Sequence, residues 1–322
     1  MNIAIVGAGM AGLSCAEQLA ASGHEIRLFD KGRGPGGRMS TRRVDTALGQ
    51  ASFDHGAQYF TVRDPDFAEL AEQWRAEGIA CPWPAAGHDA WVGTPAMNAP
   101  VKALAAKHDV TFGRPVTGLE RADDDSWRIV LDGVPQGKFD AAVLALPAEQ
   151  AAALLSLHDF ELGCRALNAR SQPCWTGMFA FAESLPLPDA PIRDAGDIAW
   201  AVRNSAKPRR TRPEAWVVQA SPDWTREHLD LPAGEVAELL LRQLGDLAQD
   251  ALPETLSAAA HRWRFAMSSA TGEGALWNPK LRLGACGDWL LGPRVECAWL
   301  SGRETAWAIV DPARRQLPVA AE

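Results

Sequence analysis

Six consecutive residues near the start, Gly7-Ala8-Gly9-Met10-Ala11-Gly12, carry glycine at their first, third and sixth positions. Glycine at the first permits a tight turn. At the third it lets the backbone approach a pyrophosphate, and at the sixth it lets a helix pack closely on a strand. The N-terminus of the helix that follows offers free N–H groups and a positive dipole end to phosphates. Asp30 stands where a carboxylate would receive ribose hydroxyls. The chemistry these residues suit is the binding of a dinucleotide.

Two further groups point to a flavin dinucleotide rather than a nicotinamide one. Gly36-Gly37-Arg38 follows Asp30 closely, and Arg38 can neutralise a pyrophosphate from its other side. Near the far end, Gly284-Ala285-Cys286-Gly287-Asp288 follows an apolar run, and Val295-Glu296-Cys297-Ala298-Trp299-Leu300-Ser301-Gly302 opens a helix. Asp288 can accept a ribityl hydroxyl, unless it serves only as a helix cap. That helix N-terminus can face the flavin N1–C2=O edge, where negative charge accumulates on reduction.

These residues need a scaffold, and the pattern supplies one. Residues 2–6 and 25–29 read as strands around a helix over residues 10–22, with a glycine-rich loop at 31–37. Residues 40–62 read as short strands and turns. Helices are expected over 66–77, 97–107, 235–249 and 296–310. Strands are expected over 110–112, 116–121, 127–131, 139–146, 170–183, 197–203, 216–220 and 281–286. Asp123-Asp124-Asp125 fits a hairpin turn better than a metal site, and no metal-ligand set or Ser/His/Asp arrangement is present. The tail beyond residue 312 reads as frayed.

The order of elements predicts an α/β protein. A Rossmann-like dinucleotide domain over 1–62, 95–155 and 275–322 is interrupted by a mixed or antiparallel sheet domain over 63–94 and 156–274. A chain of 322 residues has room for both. The net charge of −8 argues against a nucleic-acid surface. The longest apolar stretch, residues 141–155, is broken by Pro147 and Glu149, so no membrane span is expected. With no targeting segment and six scattered cysteines lacking a CxxC, reduced thiols and a cytoplasmic setting are expected, Cys15, Cys164, Cys286 and Cys297 lying in apolar surroundings. Thirteen Trp beside one Tyr are read mainly as packing residues. Nothing in the sequence bears on oligomeric state.

Taken together, these elements resemble the FAD-dependent amine-oxidase superfamily, and within it the renalase-like branch. The carrying residues are Asp30-Lys31 through Gly36-Gly37-Arg38-Met39-Ser40-Thr41-Arg42, then Asp54-His55-Gly56-Ala57-Gln58-Tyr59-Phe60-Thr61. Trp91-Val92-Gly93 with Met97, Arg203-Asn204-Ser205-Ala206-Lys207-Pro208, His261-Arg262-Trp263-Arg264-Phe265-Ala266 and the C-terminal Gly287-Asp288-Trp289 add to them. The resemblance spans nearly the whole chain. It implies a Rossmann-like FAD domain of the p-hydroxybenzoate-hydroxylase type, and non-covalent FAD contacts from Ala11, Asp30, Lys31, Arg38, Gln58, Tyr59, Asp288 and Val295, with the backbone of Val116 near the adenine. Gly7, Gly9, Gly12, Gly37 and Gly56 complete the expected cofactor site. Two departures stand out: Cys297 replaces the family's usual glycine, and Leu146 replaces a threonine.

The resemblance further implies oxidation of 2- and 6-dihydro isomers of NAD(P)H to NAD(P)+, with O2 as the second acceptor and hydrogen peroxide as its product. Loss of hydride from a dihydropyridine restores aromaticity, so such a substrate needs stacking and placement rather than a base. The expected substrate residues are Gln58, Tyr59, Phe60, Met97 and Trp263, and no side chain is assigned as catalytic. His55 reads as a hydrogen-bonding residue. On a strand, His261 and Trp263 share one face while Arg262 and Arg264 share the other. The cations Arg203, Lys207, Arg209, Arg210 and Arg212 crowd one stretch that is either a phosphate-gripping lid or a solvated loop, with Arg42 and Arg63 as rivals. Two other classes stay open: a flavin amine oxidase with an aromatic cage, for which the lone Tyr59 excludes a tyrosine pair, and a non-catalytic protein that keeps the fold.

Overall fold

A computed structural model describes residues 1–311, and the expectation for the tail beyond residue 312 lies outside them. The chain divides into two compact units. Among the described residues, one comprises Met1–Gly37, Val101–Ser171 and the residues from Met267 onward; the other comprises Arg38–Pro100 and Gln172–Ala266.

In the first unit a six-stranded sheet has the order Leu276–Asn278, Leu283–Ala285, Ala141–Leu144, Asn2–Val6, Glu25–Phe29, Asp109–Thr111. Five of these strands are parallel, and only the edge strand Leu276–Asn278 runs antiparallel. The central strands are unbroken apolar runs because a parallel sheet is covered on both faces; Ile3, Ala4, Ile5, Ala141, Ala142, Val143 and Leu144 are all fully buried. The helix Met10–Ala21 leads from the first strand to the second, and lies against the last helix, Val295–Val310. Their close approach is visible at Gly302, where a Cβ would stand 2.2 Å from the Ala11 carbonyl oxygen. Ser14 Oγ also donates to the Trp299 carbonyl at 2.7 Å.

An antiparallel meander, Val116–Arg121, Trp127–Leu131 and Val134–Phe139, carries Trp127, Ile129, Leu131 and Phe139 into the same core. The aspartate run is the expected turn, with Asp125 at φ 63°. The single strand expected over 139–146 is two. Phe139 ends the meander and Ala141–Leu144 enters the parallel sheet, because Asp140 between them accepts from the Asn2 amide at 2.8 Å. Helices at Ala148–Leu155 and Phe160–Ala166 were not expected. Cys164, on the second of them, is exposed rather than in an apolar setting, and all six cysteines are free.

The second unit is built on a five-stranded sheet ordered Ile192–Ala195, Ile198–Arg203, Glu214–Ala220, Ser171–Phe181, Thr255–Ser268. The first four strands pair antiparallel. The helix Ala233–Ala248 supplies Val236, Ala237, Leu240 and Leu244 to the core beneath it, where they meet Trp175, Phe179, Phe181 and Trp216. Smaller sheets complete the unit: a hairpin, Thr41–Thr46 with Gly49–Asp54, and a triplet, Phe60–Thr61, Ala90–Gly93 and Ala80–Pro82.

The division differs from the expected one chiefly at residues 38–62, which fold with the second unit. The hairpin is bound there by polar contacts: Asn204 Nδ2 donates to the Ser52 carbonyl at 2.8 Å, and the Met97 amide donates to Asp54 Oδ1 at 3.0 Å. No sequence pattern marks those partners, which lie 43 and 152 positions away. Among the described residues, no helix is long and apolar enough to cross a membrane.

Candidate functional site

In the first unit, the glycines of the opening motif separate into two kinds. A Cβ on Gly7 would stand 2.2 Å from the Ala145 carbonyl oxygen, and one on Gly12 would stand 2.0 Å from that of Gly7. Both glycines are therefore demanded by the protein's own packing. A Cβ on Gly9 would meet nothing within 4 Å. The space over Gly9 is open, as the approach of a phosphate requires. Gly9 is also the N-cap of the first helix and, having no side chain, leaves the helix N–H groups without a side-chain acceptor. Asp64, Asp159 and Ser221 cap their helices with side-chain oxygens, while the helices that follow Pro147 and Pro232 also start without one.

Asp30 ends the second strand and is held in place by two backbone donors. Its Oδ2 accepts from the Ala8 amide at 2.7 Å and its Oδ1 from the Gly32 amide at 2.6 Å. The carboxylate thus ties the glycine motif to the loop after the strand. Gly37 takes a left-handed φ of 52°, and a Cβ there would lie 3.9 Å from Gly9 Cα. Lys31 is exposed and Val116 half-buried at the start of its strand. Ala11 is buried in the first turn of the helix.

At the other end of this unit, Asp288 is buried and opens a 3-10 turn, Asp288–Leu290. It does not cap the last helix, which starts seven residues later at Val295 with Arg294 as N-cap and no side-chain acceptor there. Cys297 is buried in that first turn, and its sulfur accepts from Arg294 Nε at 3.3 Å. Burial pushes the Cys297 thiol up, against the pull of Arg294, so it stays protonated.

In the second unit, Gly56 is pressed against Arg38: a Cβ on Gly56 would stand 2.0 Å from the Arg38 carbonyl oxygen, which also accepts from the Ala57 amide at 2.7 Å. Arg38 Nη1 donates to the Ala266 carbonyl at 3.3 Å. The strand Thr255–Ser268 has the expected alternation. His55, His261 and Trp263 form a three-ring cluster with centroids 4.5–5.2 Å apart, while Arg262 turns the other way, over Trp175 at 5.5 Å. Trp263 Nε1 donates to the His55 carbonyl at 2.8 Å, which fixes the indole. Burial, then repulsion from His261, lowers His55 to about 4. Burial and the charge of Arg42 lower His261 as well. Both imidazoles are neutral at pH 7. Tyr59, half-buried, stacks on Trp200 at 5.4 Å, and the Arg193 guanidinium lies 4.8 Å from the Trp200 ring centroid.

Three expected substrate residues are placed differently. Phe60 is 2% exposed and packs edge-on against Phe67 and Trp74, and Met97 is 0% exposed; both are core. Gln58 is buried with its amide fully engaged. Its Nε2 donates to the Asp54 and Gly56 carbonyls, and its Oε1 accepts from Lys207 Nζ at 3.0 Å.

The basic stretch is divided, with two of its five cations buried rather than solvated. Lys207 and Arg210 are buried around Asp54, with Arg210 Nη2 at 2.6 Å and Lys207 Nζ at 3.5 Å from its Oδ2. Arg203 is bound to Glu214 at 3.3 Å and Asp189 at 3.2 Å, and Arg209 donates to the Gly78 carbonyl. Arg209 and Arg212 stay exposed. Burial would raise the Asp54 carboxyl, yet the Lys207 and Arg210 charges hold it down at about 2. Asp54 is the residue the sequence did not single out. Its signal was an acid set directly after an aromatic residue at the end of a short strand, Gly49–Asp54. Arg63 is likewise committed, to Asp89 at 2.7 Å.

Comparison with known proteins agrees with this arrangement. Residues 5–74 match the family model described as NAD(P)-binding Rossmann-like domain, and residues 84–310 match that of flavin containing amine oxidoreductase. A 4,4'-diapophytoene desaturase (4,4'-diaponeurosporene-forming) of Staphylococcus haemolyticus is 44% identical over 64 residues, 20% of this chain and 12% of the relative. The corresponding Staphylococcus aureus protein is 44% identical over 45 residues, 14% of this chain and 9% of its own length. The chain thus spans about a tenth of the length of these curated relatives. In fold, the chain is similar to a cofactor-site triple mutant of putrescine oxidase (TM-score 0.71, 12% identity, 97% of this chain and 99% of that one). It is also similar to cyclohexylamine oxidase from Brevibacterium oxydans (TM-score 0.66, 12% identity, 98% and 99%). An open cradle over Gly9 and a family match over residues 84–310 agree: the chain belongs to the flavin-containing amine oxidoreductase family and takes FAD as its cofactor.

Proposed function

We propose that this FAD-dependent oxidoreductase acts on dihydronicotinamide dinucleotides reduced at the wrong ring position, converting the 2- and 6-dihydro isomers to NAD(P)+. Bound FAD supplies the two-electron acceptor for the departing hydride, and O2 afterwards takes those electrons to give hydrogen peroxide. In this reading the backbone around Gly9 and the start of the first helix receive the cofactor's pyrophosphate, Arg38 balances its charge, and Asp288 and the helix start at Val295 serve its ribityl and ring ends. Tyr59 and Trp263 offer ring faces to the planar nicotinamide.

The observation that carries this choice is the neutrality of the ring cluster. His55, at about 4, is too weak a base to deprotonate an alkylammonium, and the charge of Arg42 that depresses His261 would repel one. A neutral dihydropyridine needs neither a base nor an anionic partner, only stacking and orientation. The negative phosphates of a dinucleotide would be attracted where an ammonium is repelled. The similarity to amine oxidases is one of fold, which leaves the substrate open.

The test is anaerobic stopped-flow of the flavin-loaded protein against 6-dihydro-NAD, ordinary NADH and a panel of amines. Rapid bleaching of the flavin band by the 6-dihydro isomer, with little from NADH or amines, is expected. Bleaching by an amine alone would replace this reading with the amine-oxidase one, and no bleaching by any of them would exclude both substrate classes.

A further inference from the structure

We propose that Lys207 is a positioning residue, its ammonium bracing the turn at residues 56–59 in the shape that presents Tyr59 to the cofactor and substrate. This rests on the reading above, in which that turn serves the flavin.

The geometry is specific. Lys207 follows a 3-10 turn, Asn204–Ala206, and its side chain is fully buried. Nζ donates to the Gln58 carbonyl and to Gln58 Oε1, both at 3.0 Å, and lies 3.5 Å from Asp54 Oδ2. All three ammonium donors therefore have acceptors. The Trp83 ring lies 5.3 Å away and adds a cation–π contact. The Gly56 carbonyl is bound twice, by Gln58 Nε2 at 3.0 Å and by Gln219 Nε2 at 2.8 Å. The carbonyls of residues 54, 56 and 58 are thus all engaged by side chains of the same unit. Such a turn has one shape, and Lys207 is the group that joins its last carbonyl to the amide bridging the other two.

A buried ammonium is an expensive brace, since its desolvation costs several kcal/mol. An apolar side chain could fill the same volume but could not bind two oxygens of one residue at once. The charged groups facing Lys207 among the described residues are Asp54 and Arg210. Burial brings Lys207 down to about 8, against the pull of Asp54 and with the push of Arg210. The brace therefore loses its charge within reach of ordinary assay conditions, which supplies a readout that packing alone would not move.

The experiment compares flavin-loaded wild type with Lys207→Met, Trp83→Leu and Tyr59→Phe, recording the visible absorption and circular dichroism of the flavin from pH 6.5 to 9.5. Wild type should show a spectral transition centred within about one unit of pH 8. Lys207→Met, which keeps the length of the side chain, should remove the transition and resemble the wild-type high-pH form throughout. Trp83→Leu, which takes the ring face away from the ammonium, should move the transition to lower pH and serves if Lys207→Met does not fold. Retention of the same transition in Lys207→Met, or an unmoved one in Trp83→Leu, overturns the proposal. If Tyr59→Phe alters the flavin spectrum and Lys207→Met does not, Lys207 has no positioning role. If neither alters it, the placement of residues 56–59 against the cofactor fails with it.

Discussion

At the scale of single residues, the opening motif shows how one pattern holds positions of different purpose. Gly12 is required by the protein, because Ala there would put its Cβ 2.0 Å from a carbonyl oxygen of the same turn. Gly9 is required only by what binds. We expect Gly12→Ala to cost about 2–3 kcal/mol of stability, the scale of an overpacked core site, read as a lower urea midpoint of the apoprotein. Gly9→Ala should lower that midpoint by no more than about 1 kcal/mol, the loss of a glycine N-cap with no steric clash added, yet weaken FAD binding by at least about tenfold. Equal stability losses in the two variants, or undiminished FAD binding in Gly9→Ala, would contradict the division. Arg38→Ala should also lower flavin occupancy, because it leaves pyrophosphate charge unbalanced; full occupancy after purification would refute that. The glycines were legible because their spacing is local. Asp54 was not, since its partners Lys207 and Arg210 stand far along the chain and their charges read equally well as a solvated loop. Met97 and Phe60 misled for a related reason: proximity in sequence to the expected site says nothing about which way an apolar side chain turns.

At the scale of elements, what carried over from sequence was periodicity, and what did not was pairing. The alternation that set His261 and Trp263 apart from Arg262 survives in the strand Thr255–Ser268, because a strand's two faces follow from backbone geometry alone. The split at Asp140 and the short strand Ile192–Ala195 depended on which strands they join, and no local pattern contains that. The first and last helices are a clear case of two elements distant in sequence and fitted by one residue. Gly302 lies mid-helix, where Ala would be favoured by about 1 kcal/mol on propensity. Its Cβ would nonetheless stand 2.2 Å from the Ala11 carbonyl oxygen and 2.9 Å from the Cys15 amide nitrogen. Backbone cannot yield as a flexible side chain can, so the steric cost should win. Gly302→Ala is expected to lose about 2 kcal/mol net, measured as a lower urea midpoint with an unchanged slope. A neutral or stabilised variant would mean that the two helices can part without penalty.

At the scale of the whole molecule, the unpaired proton affinities of the second unit set how the chain responds to pH. His55 ordinarily titrates near 6.5 and here near 4, because burial and the neighbouring His261 disfavour its charged form. Above about pH 6.5 the folded and unfolded chains are both neutral at this position, and its contribution is fully present. As pH falls below 6.5 the unfolded chain takes up a proton that the folded one refuses, so stability declines by up to about 1.4 kcal/mol per pH unit until the folded His55 also protonates near 4. The integrated loss is about 3 kcal/mol, and His261, lowered in the same direction, adds to it. Asp54 then extends the decline: held at about 2, it stays ionised in the fold while the unfolded carboxyl protonates below its ordinary 3.8. Lys207 acts in the opposite range, since between about 8 and 10.5 the unfolded chain holds a proton the fold has released, so its term rises with pH. The expected profile therefore falls steeply on the acid side from 6.5 downward. His55→Asn removes the first titration while keeping the backbone carbonyl that binds Trp263, so the variant should lose much less stability than wild type between pH 6.5 and 4. Denaturant midpoints at half-unit intervals check this. If the two profiles run parallel through that window, His55 is not held neutral by the fold, and the neutrality on which the choice of substrate class depends goes with it.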